Sequence, residues 1–135
     1  NTELRDYPID FMLLQDVAPA LDFYSPTIIA GETLIAEDPE LIAAFLRAAK
    51  RGYEKAIEDP EAAVDALLKE APETDPDLAR ESQHYLNGQY IADAARWGEM
   101  TPERWTAFAA WLEAEDILEN AITVEEAYTL DFIPQ

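Results

Sequence analysis

From residue 38 onward, apolar residues recur at intervals of three and four, and each run follows the same short punctuation. Asp38-Pro39-Glu40, Asp59-Pro60-Glu61, Asp75-Pro76-Asp77 and Thr101-Pro102-Glu103 each place a capping oxygen, a proline and an acid in succession. The oxygen accepts an orphan backbone N–H at a helix start. Proline at the first helical position loses no needed donor and presets φ. The acid faces the positive end of the helix dipole. Thr123-Val124-Glu125-Glu126 has capping-box spacing, with Thr123 and Glu126 in the reciprocal positions. The pattern predicts five helices. Their apolar stripes are Leu41, Ile42, Phe45, Leu46, Ala49, Tyr53 and Ile57, then Val64, Leu67, Leu68 and Ala71, then Leu78, Tyr85, Leu86 and Tyr90. The fourth stripe is Trp105, Phe108, Ala109 and Leu112, with Trp111 beside it, and the fifth helix is short.

Before residue 38 the period changes. Ile9, Phe11 and Leu13 alternate, so residues 9–14 read as a strand. Thr27-Ile28-Ile29-Ala30 is short and β-branched between Pro26 and Gly31, and reads as a second, buried strand. Two strands followed by about five helices give a helix-dominated α+β class. Two strands alone do not make a stable sheet. The sheet is therefore expected to be completed by another chain or by more of the same protein.

Composition narrows the function. The chain has 135 residues, 29 acidic and 9 basic, for a net charge of −20. That balance excludes a nucleic-acid binder, which needs Lys and Arg to displace counterions from phosphate. It also argues against docking on anionic lipid. With no cysteine and a lone His84, disulfides, thiolate zinc sites and cysteine nucleophiles are excluded. There is no glycine-rich phosphate loop and no built Ser–His–Asp arrangement. The expectation is therefore no catalytic residue, no metal and no cofactor. No apolar run approaches the ~20 residues of a membrane span. The polar Asn1–Asp6 is not a signal peptide, so a signal in a secreted protein would precede it.

Two aromatic segments stand out. Asp22-Phe23-Tyr24-Ser25-Pro26 puts two rings, an acid and a hydroxyl directly before the second expected strand, where clefts form in sheet proteins. Arg96-Trp97-Gly98 places an indole between the third and fourth helices. Trp97 either plugs the core between helices or faces a ligand, and Phe23 reads first as packing. Tyr24 has a phenol able to pack or to stack on a planar ligand.

The order of these features resembles the C-terminal half of the NMT1/THI5-like solute-binding proteins. The resemblance is carried by Leu13-Leu14-Gln15-Asp16, Asp22–Pro26, Ala30–Ile35, the Asp38–Ala48 and Gly52–Ala63 helix wording, and Arg96–Gly98. It implies a two-lobed, type II periplasmic-binding fold that closes on its ligand at a hinge. Residues 1–18 would be the end of the second lobe, 19–26 the hinge crossing, and 27–135 the helical C-terminal part of the first lobe. A full member is about twice this length or more, so the ligand contacts of the other half lie elsewhere. The implied function is the solute-binding component of an ABC importer. Its ligand would be a small heteroaromatic molecule such as a thiamine-pyrimidine precursor, or riboflavin, or a nitrate- or sulfonate-type solute. Its partner would be an ABC permease. Its place would be periplasmic or extracellular, with a lipid anchor through an N-terminus not in this chain. Asp22, Tyr24, Ser25 and Trp97 become the ligand-binding candidates, with Asp22 pairing to an exocyclic amine. The hydroxymethylpyrimidine synthases share the fold but carry a cysteine-rich motif that this chain lacks. A helical module that binds another protein is the alternative from a different class.

Overall fold

The computed structural model describes residues 10–118 and 120–134, together with the backbone of Glu3–Leu4 and Tyr7–Pro8. The chain is dominated by helices: α1 (Leu14–Val17), a 3₁₀ turn (Pro19–Leu21), α2 (Glu32–Glu37), α3 (Pro39–Glu58), α4 (Pro60–Glu70), α5 (Pro76–Asn87), α6 (Pro102–Ala114) and α7 (Val124–Ala127). Strands β1 (Glu3–Leu4) and β2 (Tyr7–Pro8) form a short antiparallel ladder, with Glu3 opposite Pro8 and Leu4 opposite Tyr7.

The two strands expected from the pattern are not formed. Ile9 lies outside the described residues. Residues 10–13 have no ladder partner, and the run continues into α1 rather than extended chain. Residues 27–30 likewise lack a partner, and Ile29 is 90% exposed where burial was expected. A strand exists through the hydrogen bonds of its neighbour. No segment among the described residues supplies one for either run. Helix α2 was not anticipated, because it starts at Gly31 with no side-chain cap to signal it.

The described contacts divide the chain into two compact units. One comprises residues 1–29 and 100–130, the other residues 30–99 and 131–135. The lobes and hinge expected from the resemblance concern a longer protein, and these units are subdivisions within this chain.

In the second unit the cap signals work as the sequence predicts. Asp38 Oδ1 accepts from the Leu41 N–H at 3.1 Å, and Asp59 Oδ1 from Ala62 at 3.1 Å. Asp75 Oδ1 accepts from both Asp77 and Leu78, at 2.9 and 3.0 Å. Asp38 also ends α2, and Asp59 ends α3, so consecutive helices meet at a single residue.

The core of this unit lies among α3, α4 and α5. Leu46, Val64, Ala79 and Trp97 are buried, and full burial of a side chain such as Val64 is worth roughly 1.5–3 kcal/mol. The α3 stripe is narrower than predicted. Leu46 faces inward with Ile42, Ala49, Tyr53 and Ile57 half-buried, while Leu41 and Phe45 are exposed. Helix α5 departs further, since Leu78, Tyr85 and Leu86 are exposed and Ala79, Gln83 and Asn87 turn inward. The cause is the C-terminus of α3, whose last carbonyls have no intrahelical partner. Asn87 Nδ2 donates to the Ile57 carbonyl at 3.0 Å, and Gln83 Nε2 to that of Ala56 at 3.5 Å. The Tyr90 hydroxyl donates to Gln83 Oε1 at 3.1 Å. Satisfying those carbonyls selects the amide face of α5 over its apolar one.

Helices α4 and α5 are also joined at the surface. The Arg80 Nε donates to Glu61 Oε2 at 3.1 Å, and His84 Nε2 lies 3.1 Å from Glu61 Oε1. The Arg80 hydrogen bond holds the Glu61 carboxyl below its usual range; burial opposes this, and the His84 contact adds to it. Gly98 sits at φ +80°, and a Cβ there would come within 3.0 Å of Ile133 Cδ1. Both facts favour glycine.

Three outcomes follow from this packing. Asp75→Ala is expected to cost about 1 kcal/mol by urea titration followed by far-UV circular dichroism, because it orphans two amides at once. Gly98→Ala is expected to cost about 1–3 kcal/mol in the same titration, from the left-handed backbone. The Glu61 contribution to stability is complete above the ordinary carboxylate range, and is lost as pH falls through its depressed folded value. Glu61→Gln should flatten that part of the acid limb in a pH series of urea midpoints, by lowering the midpoint at neutral pH while leaving the most acidic midpoints nearly unchanged.

Candidate functional site

The first unit is built on α6. Its aromatic residues fall at three-residue spacing, so Trp105, Phe108 and Trp111 line neighbouring turns. The loop after the 3₁₀ turn lies against them. Phe23 stacks on Phe108 at 4.5 Å between centroids and 17° between planes, and Phe108 is parallel to Trp111 at 6.3 Å. Tyr24 meets Trp105 at 6.1 Å, and Trp105 stacks on Tyr128 at 5.4 Å and 9°. Adjacent loop residues thus head two separate aromatic series. Each well-placed pair contributes roughly 0.5–1.5 kcal/mol beyond its buried area.

Tyr24 does more than pack. Its hydroxyl accepts the Thr101 N–H at 2.8 Å, at the start of α6. The sequence assigned capping here to the Thr101 side chain, which makes no cap hydrogen bond. The phenol satisfies the N–H of Thr101 itself, a different donor from those a Thr101 side-chain cap would take. Asp22 ends the 3₁₀ turn and is half exposed, and Arg104 Nη2 donates to its Oδ2 at 3.0 Å. The Arg104 guanidinium carbon also lies 4.9 Å from the Tyr24 ring centroid, a cation–π distance. Ser25 is exposed and joined to Pro26 by a cis peptide. Asp22, Tyr24 and Ser25 therefore form one loop held to the first turns of α6.

Trp97 belongs to the second unit. It is buried, 5.3 Å from Tyr53, which meets Tyr90 edge-on at 4.9 Å.

At the far side of α6, Thr123 and Glu126 form a local clasp. The Thr123 hydroxyl and N–H both donate to Glu126 Oε2, at 2.7 and 3.3 Å, and these bonds hold the carboxyl below its usual range. Burial pushes the Tyr128 phenol up, with Tyr24, Glu103 and Glu125 adding to it. Behind Trp105 a cavity of about 100 Å³ is walled by carbon from Phe108, Leu112, Leu118, Ile122 and Val124. A wider, open depression of about 400 Å³ runs past Pro102, Tyr128 and Leu130. Neither is lined by Asp22, Tyr24 or Ser25.

Chemically, the loop offers a carboxylate, a phenol and a hydroxyl on an aromatic base. That set can stack and hydrogen-bond. His84 belongs to the second unit, where its Nε2 lies against Glu61. Among the described residues no group of three or more His, Asp or Glu side chains converges as a metal site, and no helix is long and apolar enough to cross a membrane. Sequence reasoning missed Arg104, and it read Thr101 as a cap without foreseeing its bond to Tyr24. Both meet loop residues far away in sequence, so no local spacing announces them.

Residues 1–63 match the family described as NMT1/THI5 like. Over 106 residues the chain is 31% identical to the formylaminopyrimidine-binding protein of Halalkalibacterium halodurans, covering 76% of this chain and 32% of that protein. Over 118 residues it is 30% identical to the riboflavin-binding protein RibY of Chloroflexus aurantiacus, covering 79% of this chain and 32% of that protein. The chain thus spans about a third of the length of the curated relatives it matches. Over residues 1–63 the chain thus carries the NMT1/THI5-like family pattern, within a helix-dominated architecture.

Proposed function

We propose that this chain is part of the solute-binding component of an ABC importer. It binds a small heteroaromatic solute of the thiamine-pyrimidine-precursor or riboflavin type and presents it to a permease. It works outside the cytoplasmic membrane. The names of the two relatives, one a formylaminopyrimidine-binding and one a riboflavin-binding protein, support a planar heteroaromatic ligand. Both names describe binding, which favours this reading over a synthase or a protein-interaction module.

The observation that carries the reading is the Asp22–Ser25 loop. It joins a half-exposed carboxylate to an aromatic ring whose position is fixed at both its hydroxyl and its face. A rigid ring with polar groups beside it is the usual composition of a small-molecule site. Asp22 accepts from the ligand's exocyclic amine, Ser25 supplies a hydroxyl, and Tyr24 fixes the plane. The remaining contacts come from the rest of a longer protein, which also covers exposed apolar residues such as Phe11, Ile28 and Ile29.

Calorimetry on the full-length protein with 4-aminopyrimidine and riboflavin tests this. Tyr24→Ala is expected to weaken the bound ligand about tenfold or more, given that stacking on one ring is worth roughly 1–3 kcal/mol. An unchanged affinity in a folded Tyr24→Ala protein sinks the site assignment.

A further inference from the structure

We infer that Arg104 is a specificity-determining partner of Asp22, and that the two side chains together select an uncharged ligand edge carrying adjacent donor and acceptor groups. This rests on the reading of the Asp22–Ser25 loop as part of a ligand site, and adds to it a residue and a charge rule.

Arg104 lies in the first turn of α6, so the helix fixes its backbone. Its side chain is then held twice, by the 3.0 Å bond to Asp22 Oδ2 and by its place over the Tyr24 ring. Both partners reach solvent, with side-chain exposures of 25% for Arg104 and 49% for Asp22. A carboxylate has about four lone-pair positions, so one bond to Nη2 does not exhaust Asp22 as an acceptor. A guanidinium is a planar fork of five N–H donors. The pair thus sets an acceptor and a donor side by side next to an aromatic ring.

The charge argument points the same way. A chain with net charge −20 draws cations toward its whole surface. A bare Asp22 carboxylate would add to that preference. Pairing it with Arg104 cancels the charge locally and leaves the hydrogen-bonding pattern. The complementary ligand edge is an N–H beside a ring nitrogen or a carbonyl oxygen. An aminopyrimidine carries the first form and the imide edge of a flavin the second. A permanently cationic analogue such as the N1-methylated ring keeps that edge but brings a positive charge up to the guanidinium.

The test is calorimetry on the full-length protein, using 4-aminopyrimidine, its N1-methylated cation and riboflavin as probes. Arg104→Met should weaken the neutral probe about tenfold or more, the scale of a hydrogen bond to a charged group. It should also move the neutral-to-cation preference about tenfold toward the cation. Arg104→Lys keeps the charge but loses the fork, so it should retain the preference for neutral probes while weakening them. A purely structural role for Arg104 would lower both probes together and leave the preference unmoved, which overturns the inference. If both Arg104 variants leave affinity and preference unchanged while Tyr24→Ala abolishes binding, the inference falls and the site reading stands. If Tyr24→Ala also leaves binding unchanged, or the parent protein binds none of the three probes, both fall.

Discussion

Each helix in this chain must find acceptors for its first backbone N–H groups, and most of the architecture follows from how it does so. Asp38, Asp59 and Asp75 supply carboxylate oxygens to α3, α4 and α5. Ahead of α6 the N–H of Thr101 meets a phenol from a distant loop instead. The choice in α6 has a structural result, because it ties the Asp22–Pro26 loop to the helix at the point where Arg104 can reach Asp22. An orphan donor at a helix end is costly when it loses water, so these contacts are constraints as much as attractions. They also explain a share of the acidic composition without any appeal to a charged partner.

The helix starts were legible because capping is a local affair. Asp, Pro and an acid in succession fix a start within three residues, and the structure places a helix at each such signal. The strands were not legible as such, because alternation states only that a segment can pair. Residues 10–13 and 27–30 show the pattern without a partner among the described residues. The inward face of α5 was misread for a related reason. Periodicity ranks Leu78, Tyr85 and Leu86 above Gln83 and Asn87, but it does not see the unsatisfied carbonyls that end α3. Hydrogen-bond demand from a neighbouring helix outweighed apolar area there.

The candidate loop was legible in part. Asp22, Tyr24 and Ser25 drew notice from composition and from a resemblance. The contacts that give them geometry, to Thr101 and Arg104, span most of the chain and leave no trace in spacing. Trp97 illustrates the converse. An indole in a connection attracts a functional reading, yet its ring is committed to Tyr53 and the interior of its unit.

The single-residue joints at Asp38 and Asp59 have one more consequence. Both adopt nearly the same backbone angles, φ −140° and ψ 63° in one, φ −139° and ψ 83° in the other. The chain turns almost the same corner twice, with no slack between the helices. A protease needs several consecutive residues that can be drawn out straight, and cutting concentrates at exposed loop tips. From Glu32 to Glu70 the backbone offers no such stretch, despite its exposed and highly charged surface. Such corners are expected to be poor cleavage sites in the folded chain, a form of durability distinct from the depth of its core.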